Sequence, residues 1–292
     1  MIDLHMHTTV SDGEDTVEEL LKNCERANLS LIAITDHNTV DGYELLKDKN
    51  VRNLFSGEII SGVELDVYVE GGAVELLLYD FDIDQISDWV KERYRTRGER
   101  QIITFNAIVE KCREHNIKIN TEIDWDPNNE YAHGAIFRML MDVQENHTHP
   151  DLQFEDYREF YRITSMDKNH PLYIPFSLVY ASIDEVEEKV HKAGGKLFLA
   201  HLFYYNIENK EEFLDDLFSK YDIDGIEVYH YSFTEEQIRW LKNYCIKNNL
   251  LMCGGSDYHG EGARISRLGV GKGDYIIPEN LIENWYKVTN TE

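Results

Sequence analysis

Short apolar runs alternate with longer amphipathic segments near both ends of the chain. Five of these runs have the length and composition typical of buried β-strands: residues 2–5, 31–35, 196–200, 225–229 and 250–254. Helical periodicity lies between them and begins after capping residues, for example after Thr16 and after Thr234. Strands that alternate with helices in this way predict parallel βαβ units.

The middle of the chain departs from this alternation. Residues 59–69 and 73–81 have the pattern of two strands, and the glycines at 71 and 72 between them predict a hairpin. A helical pattern then begins at residue 85 and continues to about residue 167. We therefore predict an α/β fold, a βα barrel with a mostly helical cap inserted midway. The predicted domains are the barrel, residues 1–96 and 173–292, and the cap, residues 97–172.

The chain carries a large negative charge. It has 55 Asp and Glu residues against 29 Lys and Arg residues, which gives a formal net charge of -26. Such a surface repels the phosphate backbone, so we predict no stable binding of duplex nucleic acid. A small anionic substrate can still bind where cations, metal ions included, neutralise a local cleft. An anionic substrate would therefore need bound cations in this chain.

The sequence lacks the features that direct a chain to membranes or to secretion. Its apolar runs are far shorter than a membrane span, which needs about 18 residues. The first residues also lack the basic segment and the apolar segment that are typical of a signal peptide. The four cysteines form no CxxC pair, which predicts free thiols in a reducing cytoplasm. We therefore expect a cytoplasmic protein without membrane partners.

Histidines and acidic residues follow five of the predicted strands, at the point where each strand ends. Residues two apart in a strand point to the same face, so His5 and His7 project together. The carboxyl ends of barrel strands converge at one mouth, so we expect all these side chains to form one cluster. The candidate ligands are His5, His7, Asp12, His37, Glu64, His201, Asp257 and His259.

Eight ligands are too many for one four-coordinate ion. They suffice for two or three ions if Glu64 or Asp257 bridges. Imidazole and carboxylate without thiolate suit catalytic Mn, Fe or Zn. Two such ions ~3.5–4 Å apart can hold a hydroxide and clamp the oxygens of a phosphoryl group. The sequence therefore predicts metal-assisted hydrolysis of a phosphoester in a small phosphorylated substrate.

Six short motifs carry these ligands and span nearly the whole chain: His5-Met6-His7, Ser11-Asp12-Gly13, Thr35-Asp36-His37, Gly62-Val63-Glu64, Ala200-His201 and Gly255-Ser256-Asp257-Tyr258-His259. In order and spacing they resemble the PHP (polymerase and histidinol phosphatase) family. The resemblance implies a distorted seven-stranded βα barrel that hydrolyses phosphoesters at a two- or three-metal centre. The inserted helices resemble the branch that acts on nucleotides, which implies nucleoside monophosphates, 3′,5′-bisphosphates or short RNA 5′ ends as substrates.

The resemblance also assigns the ligands to metal positions. The implied sets are His5, His7, Glu64 and Asp257 for one ion, Asp12, His37 and His259 for a second, and Glu64 with His201 for a third. The residues that we expect to act in catalysis are Asp12, His37, Glu64 and His201.

Two positions depart from the pattern of that branch. Glu75 stands where a histidine usually follows the hairpin, so either its carboxylate replaces the imidazole as a metal ligand or the site is dinuclear. Ala135 stands where the cap usually carries a histidine, while His133 falls nearer the position of the usual arginine. The second departure concerns substrate specificity rather than the metal centre.

Candidate substrate contacts are fewer and less specific. Guanidinium groups match phosphate oxygens, which favours Arg138, Arg264 and Arg267, although each could equally form a surface ion pair. His133 in the cap and His230, at the end of the strand over residues 225–229, are further candidates.

Two alternative functions stay open. Mixed His and Asp metal barrels of other families hydrolyse C–N bonds, but their bridging carboxylated lysine would need a Lys at a strand end, and the motifs offer none. A non-catalytic metal-binding regulatory module is the other alternative, although the nearly complete ligand set argues against it.

Overall fold

The computed structural model describes residues 1–70, 72–263, 265–272 and 274–288. The chain is a mixed α/β protein. Its strands are β1 (Ile2–Asp3), β2 (Leu31–Ala33), β3 (Glu58–Ile60), β4 (Gly62–Val69), β5 (Gly72–Tyr79), β6 (Ala181–Ser182), β7 (Lys196–Leu199), β8 (Gly225–Tyr229) and β9 (Leu251–Gly254).

Helices separate most of these strands. The α-helices are α1 (Val17–Arg26), α2 (Gly42–Leu45), α3 (Lys49–Arg52), α4 (Ile83–Tyr94), α5 (Arg97–Glu114), α6 (Ala132–Met141), α7 (Tyr157–Met166), α8 (Ile183–Lys192), α9 (Lys210–Lys220) and α10 (Glu235–Asn248). Short 3₁₀ turns are Gln144–Thr148, Pro150–Leu152, Phe176–Leu178, Leu202–Tyr204 and Glu279–Leu281.

The strands form two sheets. The first has the order β1-β2-β3 and is parallel, with Ile2 opposite Leu31 and Ile32 opposite Ile59. The second has the order β6-β4-β5-β7-β8-β9. Strands β7, β8 and β9 are parallel to one another, whereas β5 runs antiparallel to β7. The parallel βαβ prediction therefore holds for these three strands but not for the β5–β7 pair.

Two isolated parallel bridges join segments that extend from the two sheets. Met6, just beyond β1, pairs with Tyr258 beyond β9, and His37 beyond β2 pairs with Glu64 in β4. The predicted α/β class is confirmed. The seven-stranded barrel is not confirmed, because the strands of the described residues fall into sheets of three and six. The distorted seven-stranded barrel stays a prediction.

The chain divides into two compact units. The larger comprises Met1–Val67, Val74–Lys91 and Ile183–Glu292, and the smaller comprises Tyr68–Ala73 and Glu92–Ser182. The core of the larger unit contains Ile2, Leu4, Leu31, Ala33, Ile60, Leu77, Tyr79, Phe198, Ala200, Cys253, Ile277 and Ile282. The core of the smaller unit contains Ile108, Val109, Cys112, Ile117, Ile136, Leu140, Leu152, Phe160, Leu172 and Ile174. The predicted domain limits at residues 97 and 172 stay a proposal.

Local sequence explains where several helices begin. The Thr16 side chain accepts a hydrogen bond from the backbone of Glu19, whose carboxylate accepts one from the backbone of Thr16. This capping box satisfies two N–H groups that have no partner within α1. Thr234 and Gln237 form the same arrangement at the start of α10.

All four cysteines are buried free thiols, as predicted from their spacing. Their chemistry agrees with a reducing compartment, and the cytoplasmic location itself stays a prediction. In the part of the chain that the structure describes, no helix combines the length and the apolar character that crossing a bilayer requires.

Candidate metal centre

The bridges between the extended strands bring the first predicted ligands together. His5 and His7 flank Met6, and both are fully buried. The His7 backbone N–H donates to the carbonyl of Tyr258 at 2.8 Å, and the Asn38 N–H donates to the carbonyl of Glu64 at 2.8 Å. The backbone therefore fixes the segments after β1, β2 and β9 beside the start of β4, so that Glu64 lies within a strand and not after its end.

A glycine allows the last of these segments to approach the first. A Cβ atom at Gly255 would lie 2.3 Å from the His5 backbone nitrogen, closer than Cβ atoms pack in proteins. Only glycine therefore fits between β9 and the first histidine motif. The close approach carries Asp257 and His259 to the same place.

The carboxylate of Glu64 contacts four histidines. Its Oε2 lies 3.2 Å from His5 Nε2, 3.3 Å from His7 Nε2 and 3.3 Å from His37 Nδ1. Its Oε1 lies 2.7 Å from His201 Nε2. The side chain is only 1% exposed. These contacts place Glu64 at the middle of the cluster, where a bridging ligand would have to lie.

Asp12 lies among three histidines on a loop. Its Oδ1 lies 3.3 Å from His259 Nε2 and 3.7 Å from His7 Nδ1, and its Oδ2 lies 3.8 Å from His37 Nε2. The Asp36 carboxylate holds the loop, because it accepts hydrogen bonds from the Thr8 backbone and from the Ser11 hydroxyl, both at 2.7 Å.

Asp257 lies between the histidines around Glu64 and those around Asp12. Its Oδ1 lies 3.3 Å from His7 Nε2 and 3.4 Å from His259 Nδ1. Its Oδ2 lies 3.2 Å from Nε2 of His230, whose Nδ1 lies 2.9 Å from the hydroxyl of Ser232. His230 therefore lies in the cluster as a neighbour of Asp257, and its predicted contact with substrate stays a prediction.

Glu75 lies at the edge of the cluster. Its Oε2 is 3.3 Å from His201 Nε2, and it forms a group with His37 and Glu64 in which one ligand atom of each lies within 4.8 Å of the others. Burial and the neighbouring charge of Glu64 raise the pKa of Glu75 to about 8. The position is therefore close enough for metal ligation, and in the absence of a cation the carboxyl tends to keep its proton.

Several nitrogen atoms of the cluster have no hydrogen-bond partner, as expected of atoms that bind a metal ion. Both ring nitrogens of His7, Nδ1 of His201 and Nε2 of His259 are buried and make no hydrogen bond. Buried polar atoms rarely lack a partner, and an ion can supply one. Two further groups have ligand atoms within 4.8 Å of one another: His5, His7 and Glu64, and His7, Asp12, His37 and His259. The groups share residues, which suits a multinuclear centre.

The acids and histidines shift one another's pKa in the directions expected for such a cluster. Burial alone would raise the pKa of Glu64, but His5 and His37 hold it well below its usual range. Burial alone would lower the pKa of His7, but Asp257 and Glu64 raise it to about 9. The central carboxylate therefore stays ionised, which is the state that binds a cation, and an ion must compete with protons on the histidines.

The predicted substrate residues in the smaller unit are already engaged there. His133 is buried against Tyr161, with ring centroids 5.0 Å apart, and burial lowers its pKa to about 4. Arg138 pairs with Glu130 through bonds of 3.0 and 2.7 Å. This ion pair is the alternative that the sequence left open for Arg138. Binding of substrate by either residue stays a prediction.

The structure does not link the other two predicted arginines, Arg264 and Arg267, to a phosphate site. Arg267 is exposed and pairs with Asp274. Arg264 lies outside the described residues. The contacts of Arg138 and Arg267 therefore give no support to binding of phosphate by these two guanidinium groups.

Sequence reasoning missed Glu227, which is fully buried in β8. Its two oxygens accept from His5 Nδ1 and from the His201 backbone N–H, each at 2.8 Å. The available signal was an acidic residue inside a short apolar strand. Asp36 was also missed, although it stands beside His37 in a motif already identified.

Comparisons with known proteins add three findings. Residues 3–252 match the PHP domain. The chain is 23% identical to the phosphoribosyl 1,2-cyclic phosphate 1,2-diphosphodiesterase of Eggerthella lenta, over 91% of this chain and 97% of that protein. It is 24% identical to a 5′-3′ exoribonuclease of Haemophilus influenzae, over 88% of this chain and 89% of that protein.

A solved structure shares the fold. It is a protein from Bifidobacterium adolescentis described as a metal-dependent phosphoesterase, with a TM-score of 0.59 and 24% identity. The likeness covers 96% of this chain and 93% of that one. At this identity the likeness establishes the fold, and the chemistry has to be argued from the residues.

Proposed function

Because the chain belongs to the PHP family, we propose that it is a metal-dependent phosphoesterase with a two- or three-ion centre. One observation carries the proposal. Buried histidine nitrogens without hydrogen bonds face the oxygens of Glu64, Asp12 and Asp257 within a few ångströms. This donor set, imidazole and carboxylate without thiolate, favours catalytic Mn, Fe or Zn.

The overlapping groups suggest which residues would hold the ions. His5, His7, Glu64 and Asp257 would hold one ion, Asp12, His37 and His259 a second, and Glu64, His201 and Glu75 a third if one is present. Bound ions would activate a water molecule and neutralise the oxygens of the phosphoryl group.

The chain's own residues keep this donor set in place. Glu64 ties together histidines that follow three different strands, β1, β2 and β7. Asp36 fixes the loop that presents Asp12. Without an ion, His201 Nε2 donates a hydrogen bond to Glu64 at 2.7 Å, and this nitrogen would have to lose its proton to bind an ion. These contacts preorganise the site before any substrate binds.

We propose a nucleotide-like substrate. One relative is an exoribonuclease, whose substrate carries bases, and another is a diphosphodiesterase named for a phosphoribosyl cyclic phosphate, which carries none. By analogy, the substrate of this chain could belong to either class. Tyr204 favours the first. The residue is 48% exposed, its ring stacks on His201 at a centroid distance of 5.2 Å, and its hydroxyl donates a 2.7 Å hydrogen bond to that of Tyr231.

A fixed and exposed aromatic ring beside the proposed ions suits a nucleobase. Stacking of a base on an aromatic side chain contributes about 1–3 kcal/mol and depends little on sequence. The negative charge of Asp257, which contacts the His230 ring beside Tyr204, would disfavour a second phosphate there. The Tyr204 ring therefore favours a substrate with a nucleobase next to the phosphate that is cleaved.

We expect Tyr204→Ala to raise KM for a nucleoside monophosphate by about 10-fold or more, the equivalent of one stacked base. Hydrolysis of ribose 5-phosphate, which has no base, should change little. Initial rates over a concentration series of both substrates measure the difference. Equal losses on the two substrates would show that Tyr204 supports the site instead of contacting a base.

A panel of phosphorylated metabolites tests the activity itself. We expect the purified chain, loaded with Mn²⁺, Zn²⁺ or Fe²⁺, to release phosphate from p-nitrophenyl phosphate and from nucleotides. Hydrolysis of p-nitroacetanilide instead would favour the alternative function, hydrolysis of C–N bonds. Metal binding without turnover of any substrate would favour the regulatory module.

Glu75 offers a test of the third position. A carboxylate is a harder ligand than imidazole, so it favours Mn or Fe(II) over Zn. We expect Glu75→His to shift the Zn-to-Mn content by roughly tenfold toward Zn after loading with equal amounts of both. Elemental analysis and metal-dependent rates provide the readout, with Glu70→His, which changes an exposed acid, as the control.

Unchanged metal content and rates in Glu75→His would place residue 75 outside the coordination sphere. The dinuclear alternative would then describe the centre. The proposals of a cytoplasmic location and of no stable duplex binding are independent of this outcome.

A further inference from the structure

Glu227 links two candidate ligands that come from different sheets. His5 follows β1 in the three-stranded sheet, and His201 follows β7 in the six-stranded sheet. Glu227 Oε1 lies 2.8 Å from His5 Nδ1, and Oε2 accepts the His201 backbone N–H at 2.8 Å. We propose that Glu227 is a positioning residue that aims both histidines at the metal centre, an inference that rests on the proposed function.

The contact with His5 decides which ring nitrogen can bind an ion. A carboxylate oxygen only accepts hydrogen bonds, so Nδ1 carries the hydrogen in this pair. The lone pair of Nε2 is then available on the opposite side of the ring, where Glu64 Oε2 lies at 3.2 Å. Outer carboxylates of this kind orient metal-binding histidines and increase their basicity.

The contact with His201 acts on the backbone. His201 has φ 23° and ψ 55°, in the left-handed region that residues other than glycine rarely adopt. Its N–H donates to Glu227, and in this conformation its Nε2 lies 2.7 Å from Glu64 Oε1. Glu227 therefore stabilises a strained turn at the point where the ring must face the site.

A purely structural role accounts poorly for a carboxylate at this position. Glu227 is fully buried, and a buried charge costs free energy that an apolar residue in β8 would avoid. Both of its oxygens are occupied by groups of the candidate ligands. A carboxylate supplies the two acceptor oxygens that these two contacts require.

Asp224 provides a control with similar contacts outside the cluster of ligands. It accepts from a histidine ring, His191 Nε2 at 3.0 Å, and from a backbone N–H, that of Leu197 at 3.0 Å. Leu197 and Asp224 lie at the start of β7 and β8 and His191 lies in α8, whereas Glu227 contacts the ligands beyond the other ends of the strands. Loss of Asp224 should affect stability without affecting the metal centre.

The test compares Glu227→Gln with Asp224→Asn. Glutamine keeps the shape but has one acceptor oxygen, so one of the two hydrogen bonds is lost and its amide group faces a donor. We expect Mn²⁺ titrated into the metal-free protein by calorimetry to bind at least one site about 10–100-fold more weakly in Glu227→Gln. The visible absorption bands of the Co²⁺-loaded protein should also change. Asp224→Asn should retain wild-type values in both measurements.

Glu227→Asp keeps two acceptor oxygens on a shorter side chain and should lose less affinity than Glu227→Gln. It also preserves the test if the glutamine variant fails to fold. A folded Glu227 variant with wild-type Mn²⁺ affinity and Co²⁺ spectrum would overturn the inference, as would an equal loss in Asp224→Asn. A wild-type chain that binds no Mn²⁺ would instead overturn the proposed function on which the inference rests.

Discussion

Replacing Glu64 by glutamine is expected to lower turnover by about a thousandfold or more while the fold stays intact, which corresponds to about 4 kcal/mol of transition-state stabilisation. Glutamine has nearly the same size but lacks the negative charge that a ligand between two cations supplies. Glu64 also contacts His5, His7, His37 and His201, so its charge acts on ligands of every proposed metal position.

The measurement is the rate of nucleotide hydrolysis at saturating Mn²⁺, with circular dichroism and thermal unfolding as checks on the fold. Glu58→Gln makes the same chemical change in β3, where the carboxylate accepts from the Tyr286 hydroxyl outside the cluster. Retention of most turnover in a folded Glu64→Gln protein would show that Glu64 is not a bridging ligand.

Replacing Asp12 by asparagine is expected to remove about one ion per chain and to lower turnover by about a hundredfold. Burial alone would raise the pKa of Asp12, but the neighbouring His259 and His37 hold it below its usual range, so the carboxylate is ionised. Its oxygens face three histidines, and asparagine would present them with a neutral amide.

Metal content by elemental analysis and the rate of hydrolysis are measured on the same preparation. Asp15→Asn is the control, because Asp15 lies three residues further along the chain and accepts from Asn23 and Tyr258. If Asp12→Asn keeps both its metal and its rate, the group around His7, His37 and His259 is not a metal position.

The parts of the fold and site that depend on nearby residues could be predicted from the sequence. The capping box of Thr16 and Glu19 needs only four consecutive residues, so its helix begins where predicted. His5 and His7 flank the bridged residue Met6 just beyond β1, and both face Glu64, as the two-residue period of extended backbone predicts.

The parts that depend on distant partners could not be predicted in the same way. Glu227 and His5 are 222 positions apart, and an acidic residue in a short apolar strand does not by itself reveal that it contacts His5 and His201. The antiparallel pairing of β5 with β7 depends on how the hairpin packs, which the alternation of strands and helices leaves open.

Ion pairs between neighbouring residues made the substrate contacts hard to predict. Arg138 was predicted from the affinity of guanidinium for phosphate, but Glu130, eight residues earlier, occupies its donors. An excess of acids makes such local pairs common, so a single arginine says little about phosphate binding in this chain. The strand-end histidines were better guides because several of them had to converge.

The most direct test of the account is the metal content of the purified chain together with its dependence on metal. We expect two or three ions of Mn, Fe or Zn per chain, loss of phosphoester hydrolysis when a chelator removes them, and recovery when Mn²⁺ is restored. Full hydrolysis by a chain that holds fewer than one ion in the presence of the chelator would contradict the account.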